Sequence, residues 1–593
     1  MPKRILVCCI HNLSSKTFML PSGPAFISAV LKRNAFDVTN FVWDLAKGSE
    51  QNIISLRNAI IAGSIDIVMC GAMVNQLQNL KRIFETAKGV SQNIVTIQGG
   101  ALVTYSPIEA MKLIPECDIG IIGEGELTVC ELMKHIEYDT PIGGCRGIIL
   151  RDDALGYIMT ECRDEPPDLA MQPIPDYEGF FGDWLNGHEA FLVTSGRGCN
   201  HACTFCTAEK RYRERPLEKL LEELDFYIDK YDIKMLSICN EYVNTESSYI
   251  DAFCGKLRKY QIPFRIMTRI SKNLSPDILS KLKDAGLTEF NFGLESADDS
   301  VLKSMKKGLN SEIMLEVLTN VKEAQIDVYG FFIFGDTVES RETVERTLTF
   351  AKKHRNLIQG VGLIPLYLYP GSFLYDKAVM DGKIEPLTHI RNNCPPVNIS
   401  RLSDDEYNYY KNTYFNYFHY NELMTDLSIK DVSFKKANDT VYDFRFACEF
   451  CGFIHEKTVD LHKTVYRNTK FFCKCGEKIA LDFWSHLIDK ARMREFIKNN
   501  RVAFYGIGGV FYKCYFKCEL SKFTSEYFLL DRMAKNPFKM GESSLQIHPP
   551  EKIAELGVQK VIVTISGLYS LDSILSNLRE SYPHTEFIMW CEI

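Results

Sequence analysis

Three cysteines stand within eight positions in Ser195-Gly-Arg-Gly-Cys199-Asn-His-Ala-Cys203-Thr-Phe-Cys206. Three thiolates do not complete a tetrahedral zinc site, which needs a fourth ligand. They do suffice for three irons of a [4Fe–4S] cube, and the fourth iron is then open to a ligand. Gly196 and Gly198 let the chain wrap tightly around such a group. Two rival readings remain: a chance grouping on a surface loop, and zinc completed by His201. The second is weakened because His201 lies between the cysteines.

A second group has another spacing. Cys448-Glu-Phe-Cys451-Gly452 and Cys473-Lys-Cys475-Gly476 are C-x2-C and C-x-C halves with 21 residues between them, each half ending in glycine. Four thiolates on two small knuckles suit a structural zinc ribbon, and a second iron–sulfur cluster is the alternative. Unligated packing would leave the paired glycines unexplained. The chain has 20 cysteines in all, and others, such as Cys70 and Cys239, fall inside apolar runs and read as small hydrophobes. Disulfides are not expected in a chain of cytoplasmic type.

These residues need elements to hold them. Short apolar runs at 4–10, 38–44, 65–71, 93–98 and 118–122 alternate with amphipathic stretches such as 25–32 and 75–88. That alternation predicts a doubly wound parallel sheet over 1–140, with any ligand at the strand C-terminal ends. Residues 141–185, with Pro166, Pro167, Pro173 and Pro175, read as a linker. A second series has strands near 191–194, 234–239, 264–268, 289–293, 328–334 and 360–366 and fills 186–385. Six βα units fit a partial barrel or an open sheet, and the cysteine loop follows the first strand. Residues 386–440 read as a helical extension, 441–485 as the ribbon, and 490–593 as a Rossmann-like unit with strands near 502–505, 527–530, 561–565 and 587–590.

The loop C-x3-C-x2-C, with the aromatic Phe205 before its third cysteine, resembles the radical S-adenosylmethionine (SAM) enzymes. The likeness continues in Phe292-Gly293-Leu294-Glu295-Ser296, in Val301-Leu302-Lys303-Ser304-Met305-Lys306-Lys307-Gly308 and in Tyr369-Pro370-Gly371-Ser372. The segment FFIFGDTV, residues 331–338, sits at the family's G-x-P-G-E-T: Gly335 matches, while Asp336 and Val338 depart. The resemblance implies that Cys199, Cys203 and Cys206 ligate a [4Fe–4S] cluster whose open iron is chelated by SAM. Reductive cleavage then gives methionine and a 5′-deoxyadenosyl radical. The resemblance also places Phe205, Arg269 and Glu295 around SAM, together with Asn240 and Glu241, where many relatives carry two acidic residues.

The N-terminal sheet resembles the cobalamin-binding domain found in the largest subgroup of that family. Leu20-Pro-Ser-Gly-Pro-Ala-Phe26 and the residues to Arg33 are similar to its first-helix signature. Gln98-Gly99-Gly100-Ala101 matches the turn after the fourth strand, and Ile122-Gly123-Glu124-Gly125-Glu126 the turn before the last helix. The resemblance implies cobalamin against Gly99, Gly100, Gly123, Glu124 and Gly125. The histidine frame D-x-H-x-x-G is absent, since His11 lies outside any such frame, so cobalamin is expected without a histidine ligand. Cobalamin beside a deoxyadenosyl radical implies C-methylation, with radical rearrangement or cyclisation as the alternative and an iron–sulfur scaffold or sensor as the non-enzymatic reading.

Arg501-Val-Ala-Phe-Tyr-Gly506-Ile-Gly508-Gly509-Val-Phe511 resembles a nucleotide-binding turn that lacks its third glycine, and Asp531 ends the next strand. Bound NAD is not expected there. Composition agrees with a folded multi-domain chain: of 593 residues 46% are apolar and 24% charged, which excludes a largely disordered protein. A net charge of −7 gives no sequence-wide basic field for nucleic acid. No apolar run approaches the ~18 residues that span a bilayer, and the first apolar run is too short for a secretory signal. The expectation is a cytoplasmic enzyme acting on a small-molecule or peptide substrate and reduced by a donor such as flavodoxin or ferredoxin.

Overall fold

The computed structural model describes residues 3–14, 16–152, 156–163, 165–239, 247–358, 360–417, 426–438, 441–460, 470–476, 478–506, 511, 514–515, 517–531, 538–540, 543–564 and 578–590. The chain divides into two compact units. One comprises Met1–Phe292, Leu302–Leu309 and Leu366–Ile399, and the other Gly293–Val301, Asn310–Pro365 and Ser400–Ile593.

The first sheet is built from β1 (Arg4–His11), β2 (Asp37–Asp44), β3 (Ile67–Gly71), β4 (Val95–Gly99), β5 (Ile119–Ile121), β6 (Ile148–Asp152) and β7 (Gly156–Met159), in the order β2-β1-β3-β4-β5-β6-β7. The first five strands pair in parallel. Between them run α1 (Ser22–Arg33), α2 (Ser49–Gly63), α3 (Leu77–Val90), α4 (Ala101–Tyr105), α5 (Pro107–Leu113) and α6 (Gly125–Glu137). Alternate residues of β1 explain the double winding. Ile5 and Val7 pack with Leu31 of α1 and with Val129 and Leu132 of α6. Leu6 and Cys8 pack on the other face with Leu56 of α2 and Leu80 of α3. Both faces are covered, so the strands read as continuous apolar runs. Cys70 shares the second core, and burial pushes its thiol up to about 12, the behaviour of a small hydrophobe.

The expected linker differs from the structure at its start. β6 and β7 form an antiparallel hairpin that adds to β5. Its strands precede the proline cluster, which is why the prolines do not break them. Beyond the prolines, Asp176 accepts from Ser28 Oγ at 2.6 Å, Lys32 Nζ at 2.7 Å and Asn40 Nδ2 at 2.6 Å, which ties this segment to the first sheet.

The second sheet contains β8 (Phe191–Val193), followed by the short antiparallel pair β9 (Gly196–Arg197) and β10 (Arg213–Glu214) outside it. It continues with β11 (Leu236–Cys239), β12 (Phe264–Arg269), β13 (Leu287–Glu295), β14 (Asp327–Phe334) and β15 (Gly360–Pro365). Its order, β15-β14-β13-β12-β11-β8, follows the sequence strand by strand, the pattern of a partial βα barrel. The boundary between the two units falls within β13.

In the second unit, β16 (Ile429–Lys436), β17 (Val441–Cys448) and β18 (Ile454–Asp460) form an antiparallel sheet, and β19 (Lys470–Phe472) pairs with β20 (Lys478–Ala480). A further sheet contains β21 (Val502–Tyr505) and β22 (Tyr527–Leu530); the hairpin of β23 (Phe538–Met540) and β24 (Ser543–Leu545) precedes its last strands, β25 (Ile547–His548), β26 (Lys560–Val563) and β27 (Glu586–Met589). The order β25-β22-β21-β26-β27 with parallel pairing is Rossmann-like. One apolar core joins the two regions expected as separate domains: Phe444, Cys448 and Cys473 share it with Phe504, Cys514 and Leu529. The helix Asp404–Tyr417 buries Tyr407 and Tyr410, as an amphipathic cover does. Among the described residues, no helix is long and apolar enough to cross a membrane.

Candidate functional site

The cysteine loop is closed at its base by a two-residue ribbon. Arg213 pairs with Arg197 and Glu214 with Gly196, so residues 198–212 project as one loop from the end of β8. Gly198 (φ +76°) makes that closure: a Cβ there would collide with the Arg211 carbonyl. Inside the loop, Cys199 N donates to Glu209 O at 2.8 Å and Tyr212 N to Asn200 Oδ1 at 3.0 Å. Cys199 is buried, while Cys203 and Cys206 are partly open. Ala208 N donates to Cys206 Sγ at 3.3 Å, a main-chain hydrogen bond of the kind that tunes cluster thiolates. Thr204 N donates to Met305 O at 3.1 Å and Thr204 O accepts from Leu374 N at 3.0 Å, which moors the loop on both sides.

Arg269 ends β12 with Nη1 donating to Cys203 Sγ at 3.3 Å. Gly308 (φ +60°) lies beside this guanidinium: a Cβ there would stand 3.4 Å from Arg269 Nη2, and the left-handed backbone is what favours glycine. His201 is held below the ordinary imidazole range by burial, then by the charges of Arg269 and Lys307. Phe205 is half-buried between Thr204 and Cys206. In the second unit, Glu295 is buried at the end of β13 and carries φ +64°, left-handed backbone that a non-glycine residue holds at a cost of about 1–3 kcal/mol. Asn240 and Glu241 lie outside the described residues.

A cavity of about 670 Å³ opens at the C-terminal ends of β1, β3, β4 and β5, as expected of a doubly wound sheet. Its lining is mainly apolar and includes Gly99, Gly100, Gly123, Glu124 and Gly125 on one side and Leu192, Thr194, Gly196 and Gly198 on the other. Gly100 (φ +89°) packs so closely on Ala72 that a Cβ would stand 3.0 Å from its backbone N and O. Gly99 faces open space, as a cradle for a flat macrocycle requires. Among the described residues, no histidine lines the cavity. His11 instead sits edge-on to Phe181 and Trp184, at 5.3 and 5.7 Å, and burial lowers its pKa. The apolar lining and the open glycine backbone fit a corrin ring.

Sequence reasoning missed the ties between this cavity and the cysteine loop. Arg197 donates to Glu124 at 2.5 Å and to Glu126 at 2.6 Å, and Arg213 also pairs with Glu124. Burial raises the Glu124 pKa, opposed first by Arg197, so its carboxylate serves this network rather than standing free. Phe26 of α1 lies beneath Arg197 and Arg215, at 5.1 and 5.9 Å from its ring centroid. Tyr105, at the end of α4, donates its hydroxyl to Thr207 O at 2.6 Å, one residue past Cys206. The acid pair in Gly123-Glu124-Gly125-Glu126 was a signal for counter-cations, whereas nothing in the sequence marked Tyr105.

The second cysteine group forms a compact site. The ligand atoms of Cys448, Cys451, Cys473 and Cys475 all lie within 4.8 Å of one another, with Sγ–Sγ separations of 3.9 Å for Cys448–Cys475 and 3.5 Å for Cys451–Cys473. A Zn–S bond of about 2.3 Å in a tetrahedron puts sulfurs roughly 3.8 Å apart. The pairs bracket that value, so the four residues fit a single ion. A cube would seat each thiolate on its own iron and hold the sulfurs farther apart. His455 Nε2 lies 3.3 Å from Cys473 Sγ, an outer contact of the sort that orients metal ligands.

Residues 193–351 match the radical SAM superfamily and residues 10–133 match the B12 binding domain. An uncharacterized methyltransferase of Pyrococcus horikoshii is 27% identical over 328 residues, covering 53% of this chain and 69% of its own length. An anaerobic magnesium-protoporphyrin IX monomethyl ester cyclase of Rubrivivax gelatinosus is 24% identical, covering 56% of this chain and 62% of its own. Among solved structures, the radical S-adenosylmethionine methyltransferase TsrM from Kitasatospora setae, with tryptophan substrate and a SAM analog, aligns with a TM-score of 0.54 at 14% identity. That alignment covers 64% of this chain and 76% of TsrM, and it shows a shared fold.

Proposed function

We propose that this chain, which joins a B12-binding domain to a radical SAM domain, carries out cobalamin-dependent radical SAM methylation of carbon in a small molecule or peptide. One observation carries the reading: the apolar cavity at the ends of β1, β3, β4 and β5 has Gly196 and Gly198 in its wall, directly ahead of Cys199. The two cofactor sites thereby share a boundary in one unit. When bound, the [4Fe–4S] cluster and SAM supply the 5′-deoxyadenosyl radical, and cobalamin supplies the methyl group.

The chain's own residues bind, orient and exclude water. Cys199, Cys203 and Cys206 would hold the cluster, with Ala208 N donating to Cys206 Sγ and Arg269 to Cys203 Sγ. Phe205, Arg269 and Glu295 are assigned to SAM. Gly99, Gly100, Gly123 and Gly125 present backbone to the corrin, while Glu124 braces the wall through Arg197. The apolar lining keeps water from the reacting groups. Cys448, Cys451, Cys473 and Cys475 would hold zinc in a structural role. A cytoplasmic location and reduction by flavodoxin or ferredoxin belong to the same reading.

The likeness to a cyclase favours a second reading, radical cyclisation or rearrangement in the same framework. Anaerobic purification with cobalamin in the medium, metal analysis and SAM labelled at its methyl group separate the two. About four irons, one cobalt and one zinc per chain, with label appearing in a product, are expected. Iron without cobalt, or 5′-deoxyadenosine without any labelled product, would overturn methylation.

A further inference from the structure

SAM cleavage consumes an electron, and that electron must enter through the protein surface. The chain is acidic overall, at −7, yet the exposed side of the cysteine loop carries more cations than acids, and its exposed Glu209 is paired with Arg213 at 3.2 Å. Lys210, Arg211 and Lys306 are exposed there, and among the described residues none has a carboxylate partner. Neighbouring cations behave otherwise: Arg197, Arg213 and Arg215 are each paired with glutamate.

Contacts fix where the two lysines sit. Lys210 Nζ donates to Cys206 O at 3.0 Å. The carbonyl of Lys306 faces Cys203 Sγ at 3.9 Å, and its Nζ stands 5.8 Å from the ring centroid of Phe373. Phe373 is 58% exposed, and the residue after it, Leu374, donates its N–H to Thr204 O at 3.0 Å. Two ammonium groups and one open aromatic ring therefore meet around the backbone of 203–206.

We propose that this basic rim, Lys210, Arg211 and Lys306 around Phe373, is the docking surface of an acidic one-electron carrier protein. The proposal rests on the radical SAM reading. A small apolar contact ringed by unpaired charge suits a brief electron-transfer encounter, which needs steering and rapid release more than affinity. Each docking passes one electron. The carrier is oxidised by one unit, and SAM takes up the electron as its C5′–S bond breaks, leaving methionine and a 5′-deoxyadenosyl radical. Solvent-exposed lysines that only kept the loop hydrated would show no preference between reductants.

The test follows 5′-deoxyadenosine release by the reconstituted holoenzyme, driven either by reduced flavodoxin or by dithionite. K210E/K306E is expected to raise the apparent KM for flavodoxin about tenfold at low salt, with the gap closing as salt screens the rim. Its dithionite-driven rate should match the parent chain. K210Q/K306Q should give an intermediate KM, which guards against a folding defect in the reversed variant. K430E/K435E, on β16, makes the same change in net charge and should leave KM alone. An unchanged KM in K210E/K306E, or an equal rise in K430E/K435E, would overturn the assignment. Failure of dithionite to drive cleavage in the parent chain would instead bring down the radical SAM reading, and this proposal with it.

Discussion

Arg269 sits between two duties. Its Nη1 donates to Cys203 Sγ, and its Nη2 lies beside Gly308, on the side of the cysteine loop. A charge-assisted hydrogen bond is worth about 1.5–3 kcal/mol, so R269Q should weaken SAM binding roughly tenfold or more while iron content holds. Equilibrium dialysis of the reconstituted protein measures it, and undiminished SAM binding would remove Arg269 from that role. Glu339 is a different case, since nothing in its sequence context predicts titration. Burial pushes its carboxyl from the ordinary 4.5 to about 8, against the pull of the Gly335 N–H at 2.7 Å. The folded chain favours the protonated form, so this contribution to stability is complete below about pH 4.5 and is lost as pH rises through 8. Thermal unfolding at pH 5 and pH 9 should show a larger fall in Tm for the parent chain than for E339Q, and equal falls would refute the effect. The two residues mark what a sequence discloses at this scale. The place of Arg269 beside the cysteine loop was legible from the order of motifs, whereas the titration of Glu339 depends on a burial that only the fold creates.

At the scale of elements, the ribbon β9–β10 ties the base of the cysteine loop to the start of α6. Arg197 and Arg213 leave opposite ends of the cysteine loop and converge on Glu124 at the start of α6. These charges are partly buried, at about a fifth exposed for Arg197, so an unpaired partner costs less than in a dry core, on the order of 1–3 kcal/mol. R197Q should lower the unfolding free energy by that amount, and adding E126Q should recover part of it, because the second change removes the orphaned carboxylate. A double-mutant cycle in denaturant reads the coupling, and strict additivity would show that the network does not join these elements. The sequence made the long strands plain, since periodicity and apolar runs survive in any window. It hid β9 and β10 because two residues have no period, and it hid β6 and β7 because the prolines downstream coloured the whole segment as linker.

At the scale of the chain, the second cysteine group raises the question of what it supports. Phe446, Cys448 and Cys473 share one core with Phe504, Leu529 and Trp590, so the metal knuckles and the Rossmann-like sheet should gain and lose order together. The sequence suggested two domains here because the cysteine motif and the alternating strands differ in character. A shared core leaves no mark in either pattern. If the four thiolates hold one zinc ion, C451S/C475S should lose about one zinc per chain and leave the irons at about four. Loss of four irons along with the zinc-site thiolates would mean that a second cluster had occupied the site. Hydrogen exchange tests the coupling itself. Removing the metal should speed exchange in β16–β18 and also in β21 and β22, which contain no metal ligand, because local opening follows cooperative cores rather than sequence boundaries. Unchanged protection in β21 and β22 would make the ribbon an independent appendage and the common core a mere contact. Coordinated loss would show instead that metal binding is folding energy for the whole region from β16 to β27, which gives a chain with its chemistry elsewhere a physical reason to keep these four cysteines.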